Sequence, residues 1–180
     1  NARRLQRLTE NILDVTKIEN NSMELNKEEF ILSKAVLESF TDFTNQLSKE
    51  QKENVKLTVA LDEGDVLVVA DKHRINQVIN NLLNNALKFT KQGQITLSTE
   101  KEKKYGKKAI VKIQDSGPGI DPDIMPRLFT KFATKSYSGT GLGLFISKSI
   151  VETHGGKMWA ENNLDGKGAT FLFTLPITKN

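Results

Sequence analysis

The sequence predicts a two-layer α/β (α+β) sandwich in which three helices lie on a mixed, mostly antiparallel sheet, with a helical arm in front of it. Three observations lead to this fold class. Several segments carry apolar residues at helical spacing, other apolar runs alternate or cluster as strands do, and glycine-containing turns separate the later strand patterns. The length of 180 residues suits one well-packed domain with an appendage.

The arm is predicted as a helix over residues 2–19. Four apolar residues at intervals of three, four and three form a heptad-like seam: Leu5, Leu8, Ile12 and Val15. A seam this short is marginal alone, so two interpretations remain open. The arm packs against a partner helix, or it packs on its own domain. Because the helical pattern is already present at Asn1, we expect the chain to be a piece of a longer protein.

The sandwich itself is predicted from alternating helix and strand patterns. Phe30 opens a short extended piece, and Ser33 is expected to cap the first helix. Asp71 is expected to cap the second helix, and the third runs from about Thr140 to His154. The predicted strands are 55–59, a buried strand at 66–70, and two hairpins formed by 95–100 with 109–114 and by 157–161 with 169–175. The irregular residues 116–139 are typical of a lid or of a disordered segment.

The composition excludes several classes of function. With 37% hydrophobic and 27% charged residues and a net charge of +4, the chain is an ordinary globular protein. The densest basic run, 101–108, contains Gly106 and is interpreted as a hairpin turn, so we expect no nucleic acid partner. Zero cysteines exclude disulfides and thiolate metal sites. No apolar stretch could span a membrane and no signal peptide is recognisable, so we expect a cytoplasmic location without membrane contact by this chain, even if the parent is membrane-anchored.

The second helix presents three polar side chains opposite its apolar stripe. Asn81, Asn85 and Lys88 are spaced four and three residues apart and project from one face. The amide oxygen of Asn85 suits a phosphate-bound Mg²⁺ ion, and Lys88 could meet a phosphate. A solvent-exposed face is the alternative interpretation. However, the four asparagines within residues 80–85 are poor helix formers, which favours a ligand-binding role.

Two glycine clusters follow this helix. The first, Asp-Ser-Gly-Pro-Gly-Ile at 115–120, comes directly after a strand. There Asp115 could accept a hydrogen bond from an exocyclic amine such as that of adenine, although the cluster alone is also typical of an ordinary turn. The second, Gly-Thr-Gly-Leu-Gly-Leu at 139–144, leads into a helix whose N–H groups could hold phosphates. The ordered set predicts a nucleotide site.

Two common nucleotide-binding motifs do not fit these clusters. The Rossmann pattern needs a third glycine three residues after the second, and none stands there. The P-loop ends in Gly-Lys-Ser or Gly-Lys-Thr, and neither triplet occurs in the sequence. The nucleotide site is therefore expected to belong to another fold.

The clusters resemble the motifs of the catalytic domain of sensor histidine kinases, a branch of the GHKL superfamily. In order along the chain, the resembling segments are 81–90 (N box), 115–120 (G1 box), 128–132 (F box), 139–144 (G2 box) and 166–171 (last glycine box). The resemblance covers residues 30–176. The arm is similar to the end of the second helix of the family's dimerisation and phosphotransfer domain. This implies two parts, residues 1–22 from that helix and 23–180 forming the catalytic ATP-binding domain.

The resemblance implies a Bergerat-type ATP-binding fold with a flexible lid, and ATP and Mg²⁺ as cofactors. Asn85 would hold the metal, and Asp115 would accept from the adenine amine. After Phe132 the family often has an aromatic residue and an arginine, whereas this chain has Ala133 and Thr134, so Lys135 is the candidate for that positive charge. The implied ATP-binding residues are Asn81, Asn85, Lys88, Asp115, Gly117, Gly119, Ile120, Phe132, Lys135, Gly139, Thr140, Gly141, Leu142, Gly143 and Thr170.

The resemblance also separates phosphoryl transfer from hydrolysis. Hydrolases of the superfamily, such as gyrase and Hsp90 relatives, carry a glutamate four residues before the magnesium asparagine. Asn81 stands at that position here, and an amide cannot take a proton from water. We therefore expect this chain to donate a phosphoryl group rather than to hydrolyse ATP efficiently.

The implied partners are those of a phosphorelay. A kinase of this family phosphorylates a histidine on the dimerisation domain of the same or the partner subunit, and the group passes to an aspartate of a response regulator receiver domain. The parent is expected to be a homodimer. Neither His73 nor His154 has the context of the acceptor, so the fragment alone is expected to bind ATP without autophosphorylating. The alternative is a nucleotide-binding regulatory module, a serine kinase of the GHKL type or a pseudokinase.

Overall fold

The computed structural model describes residues 2–62, 64, 66–102, 107–134 and 139–178. Helices lie on a mostly antiparallel sheet, which confirms the predicted fold class. The helices and strands are α1 (Ala2–Glu19), β1 (Glu28–Ile31), α2 (Leu32–Asn45), α3 (Lys49–Asn54), β2 (Val55–Ala60), β3 (Leu67–Ala70), α4 (Lys72–Phe89), β4 (Gly93–Lys101), β5 (Lys108–Asp115), α5 (Gly143–Thr153), β6 (Met158–Asn162) and β7 (Ala169–Pro176).

The main sheet has the strand order β2-β4-β5-β7-β6, in which only β2 and β4 are parallel. Both predicted hairpins, β4-β5 and β6-β7, are present. The predicted buried strand at 66–70 is wrong in one respect. Strand β3 forms a separate two-stranded sheet with β1, where Val68 is buried but Val69 is 46% exposed. This alternation arises because only one face of the small sheet is covered.

The core lies between the main sheet and α4. The predicted apolar stripe of α4 is buried apart from the half-buried Leu87: Ile75, Val78, Ile79, Leu82, Leu83 and Ala86. The predicted cap is confirmed, since the side chain of Asp71 accepts from the backbone N–H of Arg74 at 3.0 Å. Burial of this stripe leaves the opposite face of α4, with its polar side chains, for the site.

The predicted Ser33 cap of α2 is wrong. The helix begins two residues earlier than a Ser33 cap implies, at Leu32, directly after β1 and without a side-chain cap. The backbone N–H of Leu32 instead donates to the carbonyl oxygen of Val66 at 2.9 Å. A neighbouring backbone therefore satisfies a donor at the helix end that a serine side chain was expected to satisfy.

The arm helix α1 spans the predicted residues and is held to the domain at its C-terminal end. Asp14 is 6% exposed, and its two carboxylate oxygens accept from Arg74 Nη1 at 2.8 Å and from Gln77 Nε2 at 2.7 Å. We call these three side chains the arm clamp. Both partners of Asp14 lie on α4, so the clamp fixes the end of the arm to the helix that carries the site.

Part of the apolar seam of α1 packs on its own domain, and part is left exposed, where a partner helix could pack. Val15, near the clamp, packs against the domain core together with Ile18. Farther upstream, Leu5 is 66% exposed and Ile12 is 52% exposed. The end of the arm thus packs on its own domain; of the upstream seam residues, Leu8 is half-buried, whereas Leu5 and Ile12 face solvent.

Candidate functional site

The polar face of α4 meets the start of α5 at Asn81. Its Nδ2 donates to the hydroxyl of Ser147, a residue only 2% exposed, at 2.9 Å. Gly143 is the first residue of α5, and a Cβ added to it would lie 3.0 Å from Cγ of Asn81. The structure therefore brings the asparagine helix and the second glycine cluster together, as the sequence predicts for a single site.

Asn85 and Lys88 lie farther along the same face, and both are half-buried. No described residue donates a hydrogen bond to the side chain of Asn85 or accepts one from it, so its amide oxygen is available to a ligand. Among the described residues, no group of three or more His, Cys, Asp or Glu side chains could hold a metal ion. A magnesium ion at Asn85 would therefore take its other ligands from phosphate oxygens and water, a donor set that suits this metal.

Lys88 is a half-buried cation beside an aromatic ring. Burial lowers the pKa of its ammonium group from the usual value of 10.5. Its Nζ lies 5.3 Å from the ring centroid of Phe89. A cation that has lost part of its hydration gains more from an anionic ligand than one in bulk water.

Asp115 ends β5 and is 5% exposed. Its Oδ1 accepts from the backbone N–H groups of Gly117, at 2.9 Å, and Ala169, at 3.4 Å. Burial raises the pKa of the carboxyl group, and these two N–H donors offset part of the rise. No described residue donates to Oδ2, so the second oxygen is the one that could accept from an adenine amine.

The hydroxyl of Thr170 is turned away from Asp115. In the antiparallel pair β5-β7, Thr170 lies opposite Gln114, so side-chain alternation puts it on the other face from Asp115. Its hydroxyl donates to Oδ1 of Asn163 at 2.7 Å. Ala169, one residue earlier, is the β7 residue whose backbone reaches the carboxylate.

The second glycine cluster packs against the F-box segment. Gly141 has φ +68°, and a Cβ on it would lie 2.6 Å from Cα of Phe132, which itself has φ +62° and is 70% exposed. Helix α5 begins at Gly143, three residues later than predicted, because a residue in the left-handed region cannot continue a right-handed helix. Gly139 and Thr140 precede this point, and the Thr140 hydroxyl accepts from the N–H of Leu142 at 3.3 Å. Lys135 lies outside the described residues.

The first glycine cluster is held by residues that the sequence analysis missed. Gly119, with φ +81°, leads into Ile120, whose backbone bonds to the side chain of Asn162. Asn163 likewise bonds to the backbone of Asp115. Two asparagines before a glycine-rich turn are typical of the turn itself, so only the contacts across more than forty residues reveal this role.

The two histidines differ in burial and in their contacts. His154 is 5% exposed, its Nε2 accepts from the backbone N–H of Asp71 at 2.9 Å, and its Nδ1 pairs with the Ile150 carbonyl at 2.7 Å. Burial, the largest cause, lowers its pKa. His73 is exposed on α4.

Within the described residues, no helix combines the length and the hydropathy that a membrane crossing requires.

Comparison with known proteins identifies the family. The family model described as histidine kinase-, DNA gyrase B- and HSP90-like ATPase matches residues 70–179. The sensor protein FixL of Bradyrhizobium diazoefficiens is 44% identical over 131 residues, covering 72% of this chain and 26% of FixL. The sensor protein KdpD of Clostridium acetobutylicum is 40% identical over 180 residues, covering 96% of this chain and 19% of KdpD. The chain thus spans about a quarter or less of the length of these relatives.

Solved structures agree with this assignment. The histidine kinase ThkA in complex with the response regulator TrrA matches with a TM-score of 0.74 and 32% identity, over 97% of this chain and 49% of that one. Full-length ShkA in complex with AMPPNP matches with a TM-score of 0.84 over 98% of this chain and 36% of that one; at 24% identity, this likeness shows the fold alone. The chain therefore belongs to the family of histidine kinase-, DNA gyrase B- and HSP90-like ATPases, as an ATP-binding catalytic domain of the kind found in sensor histidine kinases.

Proposed function

We propose that this chain binds ATP together with Mg²⁺ and donates the γ-phosphoryl group to a histidine on a dimerisation helix. The observation that carries the proposal is the contact of Asn81 with the glycine start of α5, with Asn85 and Lys88 on the same face of α4, while Asp115 offers a carboxylate oxygen at the end of β5. AMPPNP, an ATP analogue, is bound to the structural neighbour ShkA. The same site in this chain would place the base at Asp115 and the phosphates between α4 and α5.

The chemistry asked of this chain is positioning and charge stabilisation. A nitrogen of the acceptor histidine attacks the γ-phosphorus, a P–N bond forms, and the bond from that phosphorus to the β,γ-bridging oxygen breaks as ADP leaves. Lys88 would stabilise negative charge on the phosphates. Asn85 would hold a magnesium ion, which neutralises phosphate charge when bound. Asn81 has no basic group with which to activate water, which favours transfer to histidine over hydrolysis.

The arm supports the wider assignment. We infer that residues 1–22 are the end of a dimerisation and phosphotransfer helix and that 23–180 form the catalytic domain. The exposed Leu5 and Ile12 would then contact further helices of a parent homodimer. ThkA was solved in complex with a response regulator, which supports a receiver domain as the second partner. The cognate setting would be a two-component relay in the cytoplasm.

The metal assignment is tested by titrating the chain with Mg-ATP. Asn85→Ala should weaken binding by roughly tenfold or more, since one metal ligand is lost, and the difference should shrink when EDTA replaces magnesium. Asn84→Ala is the matched control, because Asn84 is exposed on the same helix and bonds only to the Asn80 carbonyl. Equal affinities of Asn85→Ala and the wild type for Mg-ATP would discredit the assignment.

The transfer reaction needs the parent's dimerisation domain, supplied in trans with γ-labelled ATP. The expected product is acid-labile and alkali-stable, as a phosphoramidate of histidine is, and the chain alone should remain unlabelled. Label that survives acid would indicate transfer to a hydroxyl and favour the serine kinase alternative. Bound ATP with no transfer to the supplied domain would favour the pseudokinase. The name of the structural neighbour ThkA, a histidine kinase, favours histidine.

A further inference from the structure

Two neighbouring asparagines at the end of β6 join segments of the site that are distant in sequence. The Oδ1 of Asn162 accepts from the backbone N–H of Ile120 at 2.6 Å, and its Nδ2 donates to the carbonyl oxygen of Ile120 at 3.0 Å. The Nδ2 of Asn163 donates to the carbonyl oxygens of Asp115, at 2.8 Å, and of Lys167, at 2.7 Å. We call the side chains of Asn162 and Asn163 the amide clamp.

The clamp acts on the backbone at Asp115 and just after it. Asn163 holds the carbonyl group of Asp115 itself, and Asn162 holds the chain five residues later, beyond Gly119. The Asn163 amide is fully used, since both N–H groups donate and its Oδ1 accepts from the Thr170 hydroxyl at 2.7 Å. A side chain without two donors and one acceptor cannot make this set of bonds.

Two glycines, Gly119 and Gly168, leave room for the close backbone contacts at the amide clamp. Gly168 has φ +80°, and a Cβ on it would lie 2.6 Å from the carbonyl carbon of Asp115. Gly119 has φ +81°, and a Cβ there would lie 2.9 Å from Oδ1 of Asn162. Both glycines thus serve close backbone packing between the β6-β7 turn and the first glycine cluster. This contact fixes the direction in which the Asp115 carboxylate points.

We propose that Asn162 and Asn163 are positioning residues that give the site its preference for adenine. They do not touch the base; they hold Asp115 and Ile120 so that Oδ2 of Asp115 meets an exocyclic amine. Guanine presents a carbonyl oxygen in the corresponding place, which a carboxylate oxygen repels. The inference rests on the proposed function, because it requires Asp115 to contact the base.

Equilibrium titrations with Mg-ATP, Mg-GTP and Mg-tripolyphosphate test this role. In Asn163→Ala and Asn162→Ala, the affinity for ATP should fall by roughly tenfold, because two or three hydrogen bonds that fix the pocket are lost. The affinities for GTP and tripolyphosphate should stay near wild type, so the ATP-to-GTP ratio falls by the same factor. Asn162→Asp, which keeps the acceptor for Ile120 and loses the donor, should give an intermediate ratio.

Leu164→Ala is the matched control, since Leu164 lies fully exposed in the same turn and should leave all three affinities unchanged. An unchanged ATP-to-GTP ratio in both alanine variants would overturn the proposal. So would a parallel loss for all three ligands, which indicates general damage to the fold. Asn162 is exposed, so its truncation keeps the test valid if Asn163→Ala does not fold. Failure of the proposed function is seen separately, as a wild type that does not bind ATP.

Discussion

The side-chain amide of Asn81 occupies the space that a side chain at position 143 would need. A Cβ on Gly143 would lie 3.0 Å from Cγ and 3.1 Å from Nδ2 of Asn81, closer than ordinary contact allows. The same Nδ2 donates to the Ser147 hydroxyl at 2.9 Å. The glycine at the start of α5 therefore leaves room for Asn81 in its present rotamer, so the two motifs form one packed unit.

Gly143→Ala should separate binding from stability. Alanine favours a helix interior by about 1 kcal/mol over glycine. This gain is smaller at the first residue of α5 and is offset by loss of the hydrogen bond from Asn81 to Ser147, so the free energy of unfolding should stay nearly the same. The added methyl group displaces Asn81, and the affinity for Mg-ATP should fall by roughly tenfold. A double-mutant cycle with Asn81→Ala provides the control. If Gly143→Ala costs as much affinity without the Asn81 side chain as with it, the steric explanation is wrong.

Asp115→Asn should weaken ATP binding at least about tenfold, because an amide N–H replaces an acceptor that faces the adenine amine. The fold should not suffer, since the amide oxygen can still accept from the N–H groups of Gly117 and Ala169. Calorimetric titration and urea denaturation at pH 7 measure the two effects. Asp42→Asn, at an exposed position on α2, is the control for the loss of one negative charge. Wild-type affinity in Asp115→Asn would remove Asp115 from the base-binding role.

The wild type should also lose ATP affinity in acid at a higher pH than an ordinary aspartate would cause. Burial raises the pKa of Asp115, so its carboxylate is protonated above the usual value of 3.8 as the pH falls. The proton goes to Oδ2, because Oδ1 already accepts from two N–H groups. The effect of pH on folding runs in the opposite direction. Because the folded state prefers the neutral acid, the contribution of Asp115 to the free energy of unfolding falls as the pH rises through its folded pKa. Binding measured from pH 7 downwards checks the first statement.

His154 should make the fold sensitive to mild acid. Its pKa is lowered by burial, so the unfolded chain binds a proton more readily than the folded one. The free energy of unfolding is therefore unaffected well above pH 6.5 and decreases as the pH falls from 6.5 towards the folded pKa. Denaturation curves at several pH values measure the slope. His154→Gln should flatten it, while His73→Gln, at an exposed site, should keep it; equal slopes in all three proteins would refute the assignment.

Asp14→Ala should release the end of the arm. It removes two hydrogen bonds from a buried carboxylate and leaves Arg74 without its ion-pair partner, a loss of about 2 kcal/mol. Amide hydrogen exchange should show faster exchange in the last turns of α1, while the β5 amides remain protected. Glu10→Ala is the control, since Glu10 is exposed and accepts only from Gln6. Unchanged protection of α1 in Asp14→Ala would show that the arm is held by its other contacts, the apolar packing of Val15 and Ile18 and the ion pair between Glu19 and Lys131.

Local sequence signals predicted most of the fold. The helical period gave α1 and α4 with their bounds, and the aspartate at position 71 marked the start of α4, since caps act within four residues. The predicted starts of α2 and α5 were wrong, because contacts or backbone conformations outside the local helical pattern determine them. Leu32 starts α2 by donating to Val66, and the left-handed Gly141 delays α5 to residue 143. Neither contact has a sequence signature.

The site was predictable only as far as motifs reach. Resemblance located Asn81, Asp115 and the glycine clusters, and the structure places the second cluster against Asn81 and the first beside Asp115. Motifs do not tell which of two adjacent strand residues faces the site, because that depends on the register of the strand pair. In the observed register, the hydroxyl of Thr170 donates to Asn163. The supporting asparagines were missed because their partners are more than forty residues away.

The arm clamp also has a mechanical consequence. Helix α1 is one rigid rod of 18 residues, attached near one end through Asp14. The twelve residues upstream of Asp14 extend about 18 Å, so a tilt of roughly 10° at the clamp moves their far end by about 3 Å. Asp14 thus acts as a pivot for α1. Its partners Arg74 and Gln77 lie on α4, the helix that also carries Asn81 and Asn85. A force on the upstream end of α1 would therefore reach α4 through this attachment.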